Sequence, residues 1–398
     1  RRSSDLGNPM ARNTKTLEVL KRIDWLTVAL VLGLALFGVI AIASATCTAY
    51  DPQAQSFLEY LGSLSSSLPL TQFLYLCIGI VCVIVILFLD YNNIREFCNI
   101  IYWLCIGLLI LTLIFGSSQR GLQGWLRVGG VGIQTSEICK PLLILVLARD
   151  FAERTENKNG GIDKFRDLLP ILLKFIVPVV LIGLQPDLGT AMVYVFILMG
   201  LLFMSKTSFK ILGTIAGAAL VLLPVAWLLM TPDQKGRIEV FLDPSKDPEG
   251  KGFNVLRAKT VASSGGFRGK GFFSQDLLTQ QSSFLPEDHT DFIFSSTTEA
   301  IGFAGSILLV AAYLFLIFHL FRISMRARDD FGMYIIVGVA CMLLFHVFEN
   351  IGMNIGLMPV TGIPLPLISY GGSNLLTTLI SIGMVLNVHM RSQRRVPL

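Results

Sequence analysis

Charged residues are scarce in this chain. Asp, Glu, Lys and Arg make up 15% of its 398 residues, whereas hydrophobic residues make up 53%. Long apolar runs separated by short polar loops account for this balance, and they exclude an ordinary soluble protein. The formal net charge of +5 is therefore attributed to basic loops on one side of a membrane, and not to nucleic-acid binding.

The sequence also lacks the residue spacings of common metal, disulfide and nucleotide sites. Its seven cysteines show no metal-ligand spacing, and only Cys47 falls in a predicted outer loop, so neither a zinc site nor a disulfide is expected. The glycine-rich stretch 265–271 is not a Walker loop, because Gly271 instead of Ser or Thr follows Lys270. Such a basic patch fits either a lipid phosphate or a plain turn.

Apolar runs of about 20 residues recur along the whole chain. They predict an all-α polytopic membrane protein with about ten transmembrane helices, at residues 24–44, 71–89, 98–116, 136–152, 168–184, 190–204, 211–230, 301–321, 333–352 and 375–390. A single transmembrane domain is expected over 24–390. Between the seventh and eighth helices, residues 231–290 have enough apolar content to form a long structured extracellular loop with short interfacial helices.

Basic residues are distributed unevenly between the predicted loops. Placing both termini in the cytoplasm collects most of them on one side, as the positive-inside rule requires. The tails 1–23 and 391–398 are then cytoplasmic, and the segment around residue 291 is extracytoplasmic. Residues 1–9 precede Met10 and have no apolar core, so we interpret them as a remnant of an expression vector and not as a signal peptide.

The most concentrated polar feature lies at residues 284–294, which read FLPEDHTDFIF. Carboxylates and a histidine open there onto an aromatic, apolar stretch. Ionisable side chains at the edge of a hydrocarbon layer cost free energy, so they tend to persist where chemistry or transport needs them. This segment is the candidate active site. For Asp291, the alternative is that its side chain merely caps the following helix.

Four motifs together resemble the SEDS family, the shape, elongation, division and sporulation proteins. They are FLPEDHTDFIF at 284–294, QPDLGTA at 185–191, QTSE at 134–137 and PVTGIPLP at 359–366 running into SYGGS at 369–373. The resemblance extends over about residues 24–390 in the family's order. Within the family, residues 360–364 look like the elongation-type, RodA-like branch.

The resemblance implies a function that hydropathy does not show. Family members are peptidoglycan glycosyltransferases of the bacterial cytoplasmic membrane, which polymerise lipid II into undecaprenyl-diphosphate-linked glycan on the outer side of that membrane. They work with a class B penicillin-binding protein that cross-links the strands, and with other membrane proteins of the elongation complex. The family's key acidic residue matches Asp291, which we therefore expect to be the general base toward the acceptor hydroxyl.

Departure of a diphosphate also requires positive charge. The candidates in or near the outer loops include Arg120 and Lys270, and Lys140 lies one turn inside its helix. A lysine in an apolar helix is expensive unless it is paired, and Glu137 lies three residues earlier on the same face. This pair either lines the substrate cavity, as the resemblance suggests, or stabilises the bundle as a structural ion pair.

Four other residues complete the predicted site. Asp187 either caps the next helix or helps Asp291 to hold Mg²⁺ or Mn²⁺. Glu299 lies two helical turns after Asp291 and shares its face if the helix is continuous, or else makes a polar contact between helices. Trp125 either stacks on a sugar or anchors at the membrane interface. Ser369 belongs to the proline- and glycine-rich stretch 357–373, which we expect to form one wall of the site.

Two other functions are compatible with parts of this pattern. Broken helices and intramembrane charges also suit a lipid flippase or solute carrier, but the chain has no obvious repeated halves, and its main polar feature lies outside the membrane centre. A catalytically silent scaffold for cell-wall enzymes would make the carboxylates dispensable.

Overall fold

The computed structural model describes residues 22–46, 68–119, 122–128, 131–157, 162, 164–247, 250–280 and 284–392. These residues form twelve α-helices and one small sheet. The helices are α1 (Trp25–Thr46), α2 (Leu68–Phe88), α3 (Tyr91–Phe115), α4 (Thr135–Asn157), α5 (Phe165–Leu184), α6 (Leu188–Met204), α7 (Phe209–Leu229), α8 (Pro232–Leu242), α9 (Lys251–Ser264), α10 (Ile293–Ser324), α11 (Asp330–Ile355) and α12 (Gly372–Ser392).

All ten predicted spans coincide with helices, which confirms a helical membrane protein. In the described part of the chain, eight helices are long and apolar enough to cross a bilayer: α1, α2, α3, α5, α7, α10, α11 and α12. Two predicted spans differ from these. Helix α6 is apolar but has only 17 residues, and α4 carries several charged residues along its length. Crossing by these two helices stays a prediction.

The bundle is arranged around α11, which contacts α4, α6, α10 and α12. Its side chains are buried along most of its length, whereas α7 exposes apolar side chains all round. An all-apolar exposed surface is what lipid contact permits. Small residues allow the central helices to approach closely, as is expected between membrane helices. At Gly200 on α6, an added Cβ atom would lie 2.2 Å from the sulfur of Cys341 on α11.

The predicted loop between α3 and α4 contains a three-stranded antiparallel sheet. Its strands are β1 (Ser117–Gln119), β2 (Leu122–Val128) and β3 (Val131–Gln134), in the order β1-β2-β3. Trp125 on β2 pairs with Ser117 on one side and with Gln134 on the other. The sheet therefore links the end of α3 to the start of α4.

Residues 231–290 contain regular structure in their described part. Thr231 and Gln234 form a capping box that starts α8, in which the side chain of each residue bonds the backbone N–H of the other. Helix α9 and the 3₁₀ turns Pro244–Lys246 and Leu278–Gln280 follow. Helix α9 packs on α10 and α11, so this segment is attached to the bundle.

Helix α10 is interrupted at Gly302, which has φ 71° and ψ −177°. The glycine-rich segment 265–271 lies against this break. The Gly271 N–H donates to the Ala300 carbonyl at 2.9 Å, and the Phe303 N–H donates to the Gly266 carbonyl at 2.9 Å. Since irregular backbone at membrane depth must find partners within the protein, this pairing is what allows α10 to break there.

The glycine-rich segment offers a matched pair of substitutions. Gly269 and Gly271 both have positive φ, +80° and +90°, but a Cβ at Gly269 would lie 2.3 Å from the Ala300 carbonyl oxygen, whereas one at Gly271 has nothing within 4 Å. Both changes to Ala carry about 1–2 kcal/mol of backbone strain. Gly269→Ala also suffers overpacking, worth about 1–3 kcal/mol.

We therefore expect Gly269→Ala to lower the thermal unfolding temperature in detergent clearly more than Gly271→Ala does. Equal unfolding temperatures for the two variants would contradict the close backbone pairing of segment 265–271 with α10.

Candidate active site

Asp291 lies directly before α10, at a point fixed by α11. Its backbone carbonyl accepts hydrogen bonds from Asn350 Nδ2 and Asn354 Nδ2, each at 3.0 Å. The N-cap residue of α10 is Phe292. Asp291 is therefore not the capping residue, which was the alternative role considered for it. Its side chain is half-buried, and a Cβ added at Gly362 would lie 3.5 Å from its Oδ2 atom.

A second set of bonds joins the segment before Asp291 to the proline- and glycine-rich stretch 357–371. Ser369 Oγ donates to the Thr290 carbonyl at 2.7 Å and accepts from the Leu365 N–H at 2.8 Å. The Tyr370 N–H donates to the His289 carbonyl at 2.9 Å. Ser369 is itself buried, so its hydroxyl holds the wall of the site in place, and its predicted substrate contact stays a prediction.

The stretch 360–363 contacts both Asp291 and the first turn of α6. Gly362 adjoins Asp291, and a Cβ at Gly189, two residues after Asp187, would lie 3.1 Å from the Thr361 Cβ atom. The Thr361 hydroxyl donates to the buried Glu349 at 2.9 Å. Proline and glycine make this stretch non-helical, and its side-chain and backbone contacts with α6, α10 and α11 fix its course.

Asp187 caps α6, one of the two roles that the sequence allowed. Its Oδ1 accepts from the Thr190 N–H at 3.0 Å, and its Oδ2 accepts from Gln134 Nε2 at 3.2 Å and from Ser136 Oγ at 3.0 Å. These three donors already occupy a buried carboxylate, which favours the capping role over metal binding. Within the described residues, no group of three or more His, Cys, Asp or Glu side chains is arranged to hold a metal ion.

Lys140 is paired as its position in an apolar helix requires. Its Nζ atom lies 2.6 Å from Glu137 Oε1 and 2.9 Å from His346 Nε2 on α11. All three side chains are buried, and Lys140 is only 1% exposed. The triad therefore ties α4 to α11 and is closed to solvent in this conformation. A substrate contact by Glu137 or Lys140 remains a prediction.

Glu299 joins the long loop to α10. Its carboxylate is fully buried and accepts from the side chain of Lys270 at 2.7 Å, from Ser264 Oγ at 2.9 Å and from the Leu278 N–H at 2.7 Å. Thr279 completes the set through its N–H and hydroxyl. Helix α10 begins after Asp291, so no continuous helix places the carboxylates of Asp291 and Glu299 on one face. The alternative prediction, a polar contact between helices, describes Glu299 better.

Trp125 lies on the middle strand of the sheet. Trp125 is half-buried, and a Cβ at Gly132 would lie 3.3 Å from its ring, so the indole covers the neighbouring strand. Its strand partner Gln134 binds Asp187, which places Trp125 on the Asp187 side of the site. Arg120 lies outside the described residues.

Sequence reasoning missed Arg237 on α8. Its Nη1 atom donates to the Thr361 carbonyl at 3.0 Å and to the Val360 carbonyl at 3.4 Å, while its Nε atom lies 3.2 Å from Asp233 Oδ2. This guanidinium is thus attached to the stretch that adjoins Asp291. The only local signal is an Asp and an Arg four residues apart after a helix start, which is too common to identify a site residue.

The buried triad generates a stability prediction. Lys140→Met leaves the buried carboxylate of Glu137 without its cation, and breaking a buried pair in this way costs about 3–5 kcal/mol. Glu137→Gln in the same chain removes the stranded charge. We expect the double variant to unfold at a higher temperature than Lys140→Met alone, and a lower or equal temperature would contradict a charged pair.

Comparisons with known proteins agree with this architecture. The family model of the cell cycle proteins FtsW, RodA and SpoVE matches residues 24–394. A peptidoglycan glycosyltransferase, MrdB of Escherichia coli strain K12, is 37% identical over 294 residues, which cover 73% of this chain and 76% of MrdB.

Two solved structures share the fold. A chain in a peptidoglycan synthase complex, described as coordinating polymerization and crosslinking, is 30% identical with a TM-score of 0.74, covering 92% of this chain and 97% of that one. The crystal structure of the rod shape determining protein RodA of Thermus thermophilus is 27% identical with a TM-score of 0.67, covering 94% of this chain and 98% of that one. The chain belongs to the FtsW, RodA and SpoVE family of cell cycle proteins.

Proposed function

We propose that this protein is a membrane-embedded peptidoglycan glycosyltransferase that polymerises lipid II into glycan strands during cell elongation, with Asp291 as general base. The observation that carries the proposal is the position of Asp291: a half-buried carboxylate whose backbone is fixed by two asparagines of α11. Membership in the family and the likeness to a named peptidoglycan glycosyltransferase supply the reaction class.

The reaction requires one proton transfer and one substitution at carbon. The Asp291 carboxylate takes the proton from an acceptor sugar hydroxyl. The hydroxyl oxygen forms the new bond to the anomeric carbon of the donor, whose bond to the diphosphate oxygen breaks, and the isoprenoid diphosphate leaves with the bonding electrons. A free aspartate has a pKa of about 3.9 and is a weak base. Desolvation is the general means by which a protein strengthens a carboxylate base.

The leaving diphosphate needs positive charge or hydrogen-bond donors. Arg237 is the best placed cation, because it binds the carbonyls of the stretch that adjoins Asp291. Lys270 is paired with Glu299 and is 23% exposed, so it serves the fold of the loop in this conformation. The expected Mg²⁺ or Mn²⁺ remains part of the proposal only as a counter-ion of the diphosphate, and no step depends on it.

The proposed orientation places Asp291 outside the cell and both termini in the cytoplasm. The contact between His319 near the end of α10 and Asp24 before α1, at 2.7 Å, puts the start of α1 at the end of α10 remote from Asp291. The basic residues Arg322, Arg326 and Arg328 follow at that same end. The positive-inside rule makes this the cytoplasmic side.

We also propose a class B penicillin-binding protein as the partner, together with other membrane proteins of the elongation complex. The likeness to a chain of a synthase complex that couples polymerization to crosslinking supports this. Glycan polymerisation alone does not join strands, so a transpeptidase must act on the same product.

The direct test is polymerisation of lipid II by purified protein with its transpeptidase partner. We expect glycan polymer from the unmodified chain. Asp291→Asn keeps the size of the side chain but removes the base, so the rate should fall at least about 100-fold. The hydrogen bonds of Asn350 and Asn354 reach the backbone at residue 291 and should persist in the variant, and its unfolding temperature is measured as the control for correct folding.

Retained polymerisation by Asp291→Asn would remove this residue as the base. If the unmodified chain formed no polymer but moved lipid II across the membrane of vesicles, the result would instead favour a lipid flippase. Absence of both activities in a correctly folded complex would favour a scaffold.

A second variant tests the role of Arg237 near the diphosphate. Arg237→Gln should slow polymerisation by about tenfold or more, as expected for the loss of one charged contact to the transition state, and Arg237→Lys should recover part of the rate. Lys246→Gln is the matched control, because Lys246 is exposed in the same segment. Equal rates for the two Gln variants would exclude Arg237 from the reaction.

A further inference from the structure

An apolar cavity of about 380 Å³ lies between α1, α2 and α12. All of its lining residues are hydrophobic, and they include Val28, Leu32, Ile80, Val83, Leu379 and Leu386. The volume is within the range of small-molecule sites. A cavity without polar groups gives water no hydrogen-bond partners, so the natural occupant is a hydrocarbon.

The cavity is separate from the candidate active site. One end of the cavity is lined by Ile23 just before α1, Trp25 at the start of α1, Phe88 at the end of α2 and Met390 near the end of α12. Trp25 and Phe88 are 58% and 80% exposed, so we call this end the mouth of the cavity. Asp24, between Ile23 and Trp25, contacts His319 near the end of α10, whereas Asp291 precedes the start of α10. The cavity therefore opens on the side of the bundle opposite Asp291.

The depth of the cavity corresponds to one leaflet of a bilayer. Along α12 its lining runs from Met390 to Leu379, which at 1.5 Å per residue is about 16 Å. The hydrocarbon core of a bilayer is about 30 Å thick, so one leaflet is about half of that. Trp25 is 58% exposed at the mouth, where tryptophans mark the membrane–water interface. An acyl chain that enters at this level fits the cavity along its length.

Two arginines lie at the mouth. Arg22 immediately precedes Ile23, and Arg391 follows Met390 and donates to the Leu89 carbonyl at 2.5 Å. Arg391 also donates from Nε to Asn387 Oδ1 at 3.1 Å, and its Nη1 atom lies 3.9 Å from Asp90, which caps α3. Asp24 bonds Thr27 and His319. The two arginines place positive charge at the depth where a lipid head group lies, and a lipid phosphate there would compete with Asp90 for Arg391.

We propose that this cavity binds one acyl chain of an anionic glycerophospholipid from the adjacent leaflet, with its phosphate beside Arg22 and Arg391. The site depends on neither lipid II nor catalysis. Its effect on the fold is to fill the space between α1, α2 and α12, so bound lipid stabilises the packing of α1 and α12 on α2.

The test uses the purified full chain in detergent with phosphatidylglycerol or phosphatidylcholine as the probe. Native mass spectrometry counts retained lipid, and thermal unfolding measures stabilisation. Val83→Trp fills the cavity, whereas Val81→Trp places the same ring two residues away on the exposed surface of α2, where Val81 is 59% exposed. The unmodified chain and Val81→Trp should each retain one phosphatidylglycerol and unfold at a higher temperature with it, and Val83→Trp should lose both effects.

Substitutions of arginine test the proposed site even if Val83→Trp fails to fold. Arg22→Gln leaves the cavity intact and should weaken retention of phosphatidylglycerol about fivefold, whereas Arg166→Gln, at an exposed arginine at the start of α5, should not. Equal retention by the two tryptophan variants would overturn the cavity as the site. If phosphatidylcholine were retained as well as phosphatidylglycerol, the proposed preference for an anionic head group would be wrong. If the protein bound lipid only after removal of residues 1–21, the occupant of the cavity would be that segment and not a lipid.

Discussion

The demand that every backbone polar group in a bilayer finds a partner inside the protein governs this structure. Three of the described segments that depart from helix show this: the break of α10 at Gly302, the glycine-rich segment 265–271, and the stretch 357–371. Each is bonded to another element by its backbone or by a buried side chain. Irregular backbone is tolerated at membrane depth only under this condition, so the places where helices break are also the places where a polar site can be built.

Asp291 benefits from two such sets of contacts. Asn350 and Asn354, one helical turn apart on α11, donate to its carbonyl, and Ser369 donates to the carbonyl before it. The Asp291 carboxylate lies near Gly362, where an added Cβ atom would be 3.5 Å from its Oδ2 atom. Buried amides that bind backbone restrict the position of a side chain without changing its charge, which is a suitable arrangement for a base that must meet a substrate hydroxyl in one orientation.

The helices of the bundle can be predicted well from the sequence, because a helix that crosses hydrocarbon needs about 20 consecutive, mostly apolar residues. All ten apolar runs coincide with helices, and the segment 284–294 stands out in the sequence for its unusual density of charge. The partners of individual charges were harder to predict. Glu299 is bound by residues 264–279, Lys140 reaches His346 about 200 positions away, and Arg237 binds carbonyls that no side-chain pattern can reveal. Such contacts depend on how helices pack, and residue spacing describes only neighbours on one helix. The strands around Trp125 were missed since they are short and lie within a predicted loop.

The central claim is that Asp291 takes a proton from an acceptor sugar, and its most direct measurement is a structure of the Asp291→Asn variant trapped with a lipid-linked saccharide. The account predicts a sugar hydroxyl within about 3 Å of the substituted side chain, which is hydrogen-bond distance, with the diphosphate of the donor on the Arg237 side. A saccharide bound with its hydroxyls remote from residue 291, and with another carboxylate beside the acceptor oxygen, would contradict it.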